Sequence, residues 1–484
     1  MAAKRFSLCA LLSGILLAIS FTNHGGFLLA FVALAIYLYC LDSSPKAFRT
    51  GCAFGFGLLL TGCYWLYYSI HRYGNLPLIP SIAITVLFCL AMSLYYGLQG
   101  YCFKRLYRHK SRQQRYLIGF GLTMTIAEYL RASLFTGFPW LLIGYTQTTH
   151  ALSGIAPFIS VFGVSLSVCI ISGALVLLIK SHSRLNQLIA AAVITLIFLT
   201  ATVLSAQPLT HRYGPAKTVA LVQGNVAQSI KWDPDHTLAI MRQYWQLTEP
   251  YWQHSIIVWP EAAIPVYRRA IPSYMDALNQ TAKRNQSTLL LGIPEQKNNK
   301  KYNALVALGR DQGQYLKKHL VPFGEYTPLP QPLMHLMKQW QIPLSDLSPG
   351  PKKQAPLTAQ GLTLAPFICY EIAYPRLVAQ SSKNSNAIVV ISDDSWFGQS
   401  PAAAQQLQMA QMRAIETQRP ILYVNNTDHT AIITKYGHIR AITPPRTASV
   451  LTGELAGVTG TTPLQSHGLL WLGLLSILLL LLSV

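Results

Sequence analysis

Three segments of the chain end an apolar run in residues able to move protons or attack a carbonyl. In VWPEAAIP, Glu261 follows the apolar run 256 to 259 and stands between Pro260 and Pro265. In LKKHLVPFGEY, residues 316 to 326, Lys317, His319 and Glu325 surround a Pro-Phe-Gly turn. In FICYE, Cys369 and Glu371 follow an apolar stretch. An ordinary thiol, with a pKa of about 8.5, is only a few per cent ionised at neutral pH, so a carboxylate beside Cys369 must take its proton before it can attack. A lysine ammonium nearby can then stabilise the oxyanion of a tetrahedral intermediate. Such a trio performs acyl transfer through a thioester. A Cys369–His319 pair is the competing arrangement, and spacing alone leaves both open.

The elements that must position these groups are strands. Between Lys217 and Gly453 short β-branched runs alternate with longer helical patterns. Strands are expected at 218–226, 255–261, 287–295, 302–309, 362–371, 386–394 and 421–427, and helices at 234–249, 271–285 and 401–417. Continuous apolar strands interleaved with helices indicate a buried sheet carrying helical layers, hence an α/β domain. Each of the three chemical segments then lies at or just beyond a core strand.

The rest of the chain is a different material. Of 484 residues, 51% are hydrophobic and only 11% charged, with a net charge of +21, against about 25% charged residues in a soluble domain. Residues 1–206 hold 14 basic residues and two acids, Asp42 and Glu128, whereas 207–466 hold 24 basic and 15 acidic ones. A bilayer crossing needs roughly 17 to 25 apolar residues. Seven such stretches lie near 6–22, 26–42, 51–70, 80–102, 116–135, 151–179 and 187–206, and an eighth at 468–484. A cleaved signal peptide is the lesser reading of the first, since no small-residue cleavage site follows it. The expected domains are therefore a seven-helix transmembrane domain at 1–206, an exported catalytic domain at 215–455 and a C-terminal transmembrane helix at 467–484.

Cations are retained on the cytoplasmic side of short loops. Assigning loops alternately puts Lys4, Arg5, Lys46, Arg49, the cluster from Lys104 to Arg115, Lys180 and Arg184 on one side, and Arg72 alone on the other. Both termini are then cytoplasmic and the α/β domain is outside, which in a Gram-negative cell is the periplasm. Half of the positive charge is thus a topology signal facing lipid headgroups, so nucleic acid is a poor partner. Within the fifth span Glu128 and Arg131 stand three residues apart, the spacing of neighbours that can neutralise one another on a helix face. Seven of the eight cysteines lie in or beside membrane helices, leaving Cys369 alone in the exported domain. With no disulfide partner in an oxidising compartment, it is a candidate reactive thiol.

Glu261 in WPE, Lys317 in KHLVPFGE and Cys369 in CYE resemble the Glu-Lys-Cys triad of the nitrilase superfamily, whose fold is an α-β-β-α sandwich. HLVPFGEYTPL, FTGFPWLLIGY at 135–145 and the polytopic N-terminal half resemble its membrane-bound apolipoprotein N-acyltransferase branch, across nearly the whole chain. The resemblance implies Cys369 as nucleophile, Glu261 as general base and Lys317 as oxyanion partner. It further implies Glu325 as a second active-site acid, Tyr370 and Glu371 as neighbours of the nucleophile, and Trp232 and Trp396 as active-site or loop tryptophans. No metal and no cofactor are implied. The expected reaction is the last step of lipoprotein maturation at the bacterial inner membrane. A phospholipid, typically phosphatidylethanolamine, acylates Cys369, and the α-amino group of an S-diacylglyceryl cysteine takes the chain as an amide. The segment 326–347, with Leu333, Met334, Leu336, Met337 and Trp340, is expected either to dip into the interface as an arm or to pack as ordinary core. Two rival readings use the same chain: a membrane-tethered amidase with the same triad, and a lipid carrier in which Cys369 is dispensable.

Overall fold

The computed structural model describes residues 2–21, 26–74, 76–328 and 346–483. Its chain divides into a helical unit, residues 1–67, 77–208 and 466–484, and an α/β unit, residues 68–76 and 209–465.

Apolar helices of the helical unit occupy the stretches where hydropathy placed them. They are α1 (Ala2–Ile19), α2 (Phe27–Ser43), α3 (Ala47–Gly62), α4 (Leu78–Leu106), α5 (Phe120–Ser133), α6 (Ala156–Lys180) and α7 (Arg184–Ser205). A last apolar helix runs over Leu470–Ser483. Among the described residues three helices are long and apolar enough to cross a membrane, or four if the pair Ala47–Gly62 and Leu66–Tyr73, bent by 59°, is one span. Close helix contact depends on small residues. A Cβ on Gly100 of α4 would sit 2.6 Å from the Ala47 carbonyl oxygen of α3.

Glu128 and Arg131 form no ion pair within 4 Å among the described contacts. Glu128 accepts from the Ile143 N–H at 2.7 Å, while Arg131 donates to the carbonyls of Phe138 at 2.8 Å and Trp140 at 2.7 Å. Each side chain satisfies backbone of the 135–145 segment. Between the short 3-10 turns Leu134–Thr136 and Ile143–Gln147 that segment has no helix or strand, and buried backbone needs partners.

The α/β unit is built on two six-stranded sheets. The first has the order Ser449–Leu455 (β13), Lys217–Gln223 (β2), Ile256–Val258 (β3), Thr288–Lys297 (β4), Lys300–Gly309 (β5), Gly313–Leu316 (β6). The second has the order Ile439–Ile442 (β12), Ala431–Ile433 (β11), Ile421–Asn425 (β10), Ala387–Ser392 (β9), Leu362–Ile368 (β8), Leu357–Ala359 (β7), and Thr210–Arg212 (β1) pairs with Val458–Gly460 (β14) apart from both. In the first, β2 (Lys217–Gln223), β3 (Ile256–Val258) and β4 (Thr288–Lys297) are parallel. β5 (Lys300–Gly309), β6 (Gly313–Leu316) and β13 (Ser449–Leu455) pair antiparallel at its two sides. In the second, β8 (Leu362–Ile368), β9 (Ala387–Ser392) and β10 (Ile421–Asn425) are the parallel centre. These central strands are apolar on both faces, as strands covered on both sides must be.

Helices close the outer faces. Ile240, Met241 and Tyr244 of α8 (Thr237–Thr248) and Met275, Leu278 and Ala282 of α9 (Pro272–Arg284) pack on Ala220, Ile257 and Leu289 of the first sheet. Val378 of α10 (Pro375–Ser381) and Leu407, Ala410 and Ala414 of α11 (Ala402–Thr417) pack on Phe367, Ile388 and Tyr423 of the second. This is the expected α-β-β-α sandwich. The seven expected strands and three expected helices are present within a few residues. The strands not anticipated, such as β6 and β7 (Leu357–Ala359), are three to seven residues long and lie mostly toward sheet edges.

Candidate active site

The chemical residues gather where strands of both sheets end. Glu261 follows β3 by three positions, and the chain there turns sharply, with Ala262 at φ 44°. The turn needs room: a Cβ on Gly292 of β4 would lie 2.7 Å from the Glu261 Cα. Lys317 directly follows β6, and Cys369 directly follows β8. Cys369 is the elbow between that strand and the short turn Cys369–Ala373, at φ 53°. Such a left-handed conformation costs a residue with a side chain of order 1 kcal/mol or more and persists only where surroundings enforce it. Here it places the thiol at the tip of a strand.

Lys317 is 1% exposed and Glu261 is 8% exposed. The Lys317 Nζ lies 2.9 Å from Glu325 Oε1 and 3.5 Å from Glu261 Oε1. Asn303 on β5 joins the two acids, its Nδ2 donating to Glu261 at 2.6 Å and to Glu325 at 3.2 Å. Glu261 Oε2 accepts from the Asp393 backbone N–H at 3.0 Å, at the end of β9 in the facing sheet. Glu325 Oε2 accepts from the Val321 N–H at 2.9 Å, which holds the Pro-Phe-Gly turn closed.

Electrostatics follow from this burial. Burial pushes the Cys369 thiol well above the ordinary range, Glu261 adds to the rise, and Lys317 opposes it. Cys369 therefore rests as a thiol, and any attack by it requires a base. Burial also raises the Glu261 carboxyl; Lys317 pulls it down, Glu325 and Asp393 push it up, and the Asn303 hydrogen bond lowers it. A carboxyl lifted toward neutrality is better matched to accept and return a proton than an ordinary one. For Lys317 burial works toward the neutral amine, but Glu325 and Glu261 hold it above the usual lysine value, so it stays an ammonium. Beside the thiol, Gln406 Nε2 approaches Sγ at 3.9 Å. Below it the buried Asp394, bonded by the Ser392 hydroxyl at 2.7 Å, is raised to about 7, chiefly by burial.

The remaining expected residues divide. Glu371 is fully buried and accepts from the Ile368, Lys318 and His319 N–H groups at 2.8, 2.7 and 3.1 Å and from the Tyr315 hydroxyl at 3.0 Å. It ties the elbow to the segment carrying Lys317 and has no capacity left for proton transfer. Tyr370 lies against His319 and Tyr374 at ring distances of 6.2 and 5.1 Å. Trp396 is 39% exposed, its carbonyl accepting from Ser69 at 2.9 Å and its ring meeting Tyr73 edge-on at 5.3 Å. Trp232 is half exposed, and its neighbour Lys231 is the buried one.

The Cys–His alternative is not formed among the described contacts. His319 packs on Tyr374 at 3.9 Å and its Nε2 is buried without a partner. Burial lowers its pKa to about 4, with Lys317 adding to the fall, so the ring is neutral. Asn303, Lys231, Asp393 and Gln406 went unread in the sequence. Asp393, in NAIVVISDD, carried the same signal as Glu261, an acid at the end of an apolar strand. Of the expected arm, Leu333, Met334, Leu336, Met337 and Trp340 lie outside the described residues.

Comparison with known proteins gives matches in both halves of the chain. Residues 13–174 match the model of the apolipoprotein N-acyltransferase N-terminal domain and residues 218–463 the carbon-nitrogen hydrolase model. An apolipoprotein N-acyltransferase of Coxiella burnetii is 42% identical over 95% of this chain and 96% of its own length. Those of Azotobacter vinelandii and Methylococcus capsulatus are 35% and 36% identical, over 94% and 95% of this chain and 90% and 92% of theirs.

Proposed function

Because the chain belongs to the apolipoprotein N-acyltransferase family and so N-acylates lipoproteins, we propose that it does this by a two-step transfer through Cys369, with a membrane phospholipid as donor. Glu261 takes the thiol proton while Sγ attacks a donor ester carbonyl. The oxyanion forms against the Lys317 ammonium, and the lysophospholipid alkoxide leaves with the proton from Glu261. The α-amine of an S-diacylglyceryl cysteine then attacks the thioester, loses its proton to Glu261 and departs as the amide, and the thiolate is reprotonated. Glu325 and Asn303 keep Lys317 and Glu261 in register. The observation that carries this reading is the buried Glu261–Lys317–Glu325 cluster acting on a strained, protonated thiol.

The donor is proposed to be phosphatidylethanolamine and the acceptor a diacylated apolipoprotein. Incubating purified protein with acyl-labelled phosphatidylethanolamine and a diacylated lipopeptide should give a triacylated peptide carrying the label as an amide. No acyl group left on the protein by the phospholipid, and no labelled peptide, would support the membrane-tethered amidase instead.

We also propose both termini in the cytoplasm of a bacterial inner-membrane protein, with residues 215–455 in the periplasm, on the strength of the loop charge asymmetry. Reporter fusions after Arg112 and after Lys352 should report opposite sides. The same side for both would refute it.

A further inference from the structure

Lys231 closes the short helix Gln228–Lys231 that follows β2, and Asp393 follows β9 in the other sheet. Both side chains are buried, 1% and 4% exposed, and they form an ion pair. The Lys231 ammonium also donates to the main-chain carbonyl of Glu261 at 3.0 Å. The Asp393 backbone N–H donates to the Glu261 carboxylate at 3.0 Å. Glu261 is therefore gripped at its backbone by one member of the pair and at its side chain by the other. The second Asp393 oxygen accepts from Asn426 Nδ2 at 3.1 Å and from the Ser395 N–H at 3.2 Å. The pair is thus fixed to the turn that carries Trp396.

We propose that Lys231 and Asp393 are positioning residues for Glu261, and that their mutual neutralisation is what lets this carboxylate serve as the base. The inference rests on the assignment of Glu261 as base. A buried pair whose only task was stability would be replaceable by apolar side chains of similar volume. This one is bonded to both ends of a third ionisable residue. The charged and titratable groups facing Glu261 are Lys317, Glu325, Cys369 and Asp393. Those facing Asp393 are Lys231, Asp394, Tyr244 and Tyr73. Asp393 is a like charge toward Glu261, and Lys231 is the cation bonded to it.

The two members should therefore act with opposite sign. Lys231→Met leaves an uncompensated negative charge beside Glu261, and Asp393→Asn leaves an uncompensated positive one. The readout is the initial rate of acyl transfer to Cys369 from phosphatidylethanolamine in detergent micelles, against pH, on folded full-length protein. Lys231→Met should move the acid limb up by roughly one pH unit and Asp393→Asn should move it down, the low end of what a charge within a few ångströms does. The double variant should return the limb toward wild type with a lowered maximal rate, and Lys231→Arg should keep the limb in place. If Lys231→Met does not fold, Asp393→Asn against the double variant carries the same sign test. Limbs that stay put, or move the same way in both single variants, overturn the inference. Glu261→Gln separates the two layers of the argument. If it acylates at the wild-type rate, the base assignment itself is wrong; if it is inactive while the limbs do not move, only the inference fails.

Discussion

The helical unit and the α/β unit each bury a glutamate close to a cation, and the two pairs are used differently. Glu128 and Arg131 each bond backbone groups of residues 138–143. Every partner is fixed, so the charges act as struts for an irregular segment. Glu261 and Lys317 instead lie within 3.5 Å of each other, Lys317 also pairs with Glu325, Asn303 bonds both acids, and both charges act on the Cys369 thiol. Burial of charge alone therefore does not mark a catalytic centre. What marks it is that a proton has somewhere to go. Glu371, two residues after Cys369, falls on the strut side because backbone N–H groups and one hydroxyl occupy it.

This contrast can be broken experimentally. The largest effects should come from the α/β cluster. Glu261→Gln and Lys317→Ala should each lower acyl transfer on folded protein by about a hundred- to a thousandfold, the scale of roughly 3–4 kcal/mol for a lost oxyanion donor. Wild-type turnover in either would remove that residue from the mechanism. Arg131→Leu should act on stability instead, because it strands the carbonyls of Phe138, Trp140 and Leu141. A loss of about 3–5 kcal/mol is the scale for breaking a buried charge network. A thermal scan at fixed rate should show a lowered midpoint, while the acid limb of the surviving activity stays in place. A shifted limb would make Arg131 part of the chemistry.

The smallest effect concerns His319. Its pKa is about 4 in the folded protein, against about 6.5 unfolded. A depressed base gives stability that is complete above the unfolded value and lost as pH falls from about 6.5 toward 4, at most about 3 kcal/mol. His319→Phe, which preserves packing on Tyr374, should flatten that loss in a melting series between those pH values. An unchanged slope would show that another group carries it.

The site was legible where chemistry coincided with the end of an apolar run. Glu261, Lys317 and Cys369 stand out because core strands seldom end in such types, and Cys369 because it is the single cysteine between 215 and 455. Asn303 was not legible, since an asparagine inside KKYNALVALG looks like any strand residue, and only antiparallel pairing of β5 with β6 brings it to Lys317. Lys231 was masked by the conspicuous Trp232 beside it, yet the lysine is the buried member of that dipeptide. The split into two facing sheets followed from the family resemblance and not from periodicity, because strands of one sheet and of two have the same apolar pattern. For Glu128 and Arg131, helix spacing showed that the two are near each other but not that backbone groups of residues 138–143 share the same charges.

Central to the account is a thioester on Cys369, formed before any acceptor is present. Intact protein incubated with phosphatidylethanolamine alone and weighed by mass spectrometry should gain the mass of one acyl chain. The gain should map to Cys369, be released by neutral hydroxylamine and disappear on addition of a diacylated lipopeptide, and Cys369→Ala should show none of it. An acyl mass on another residue, or triacylated product formed without any acyl-protein during a rapid chase, would contradict the mechanism.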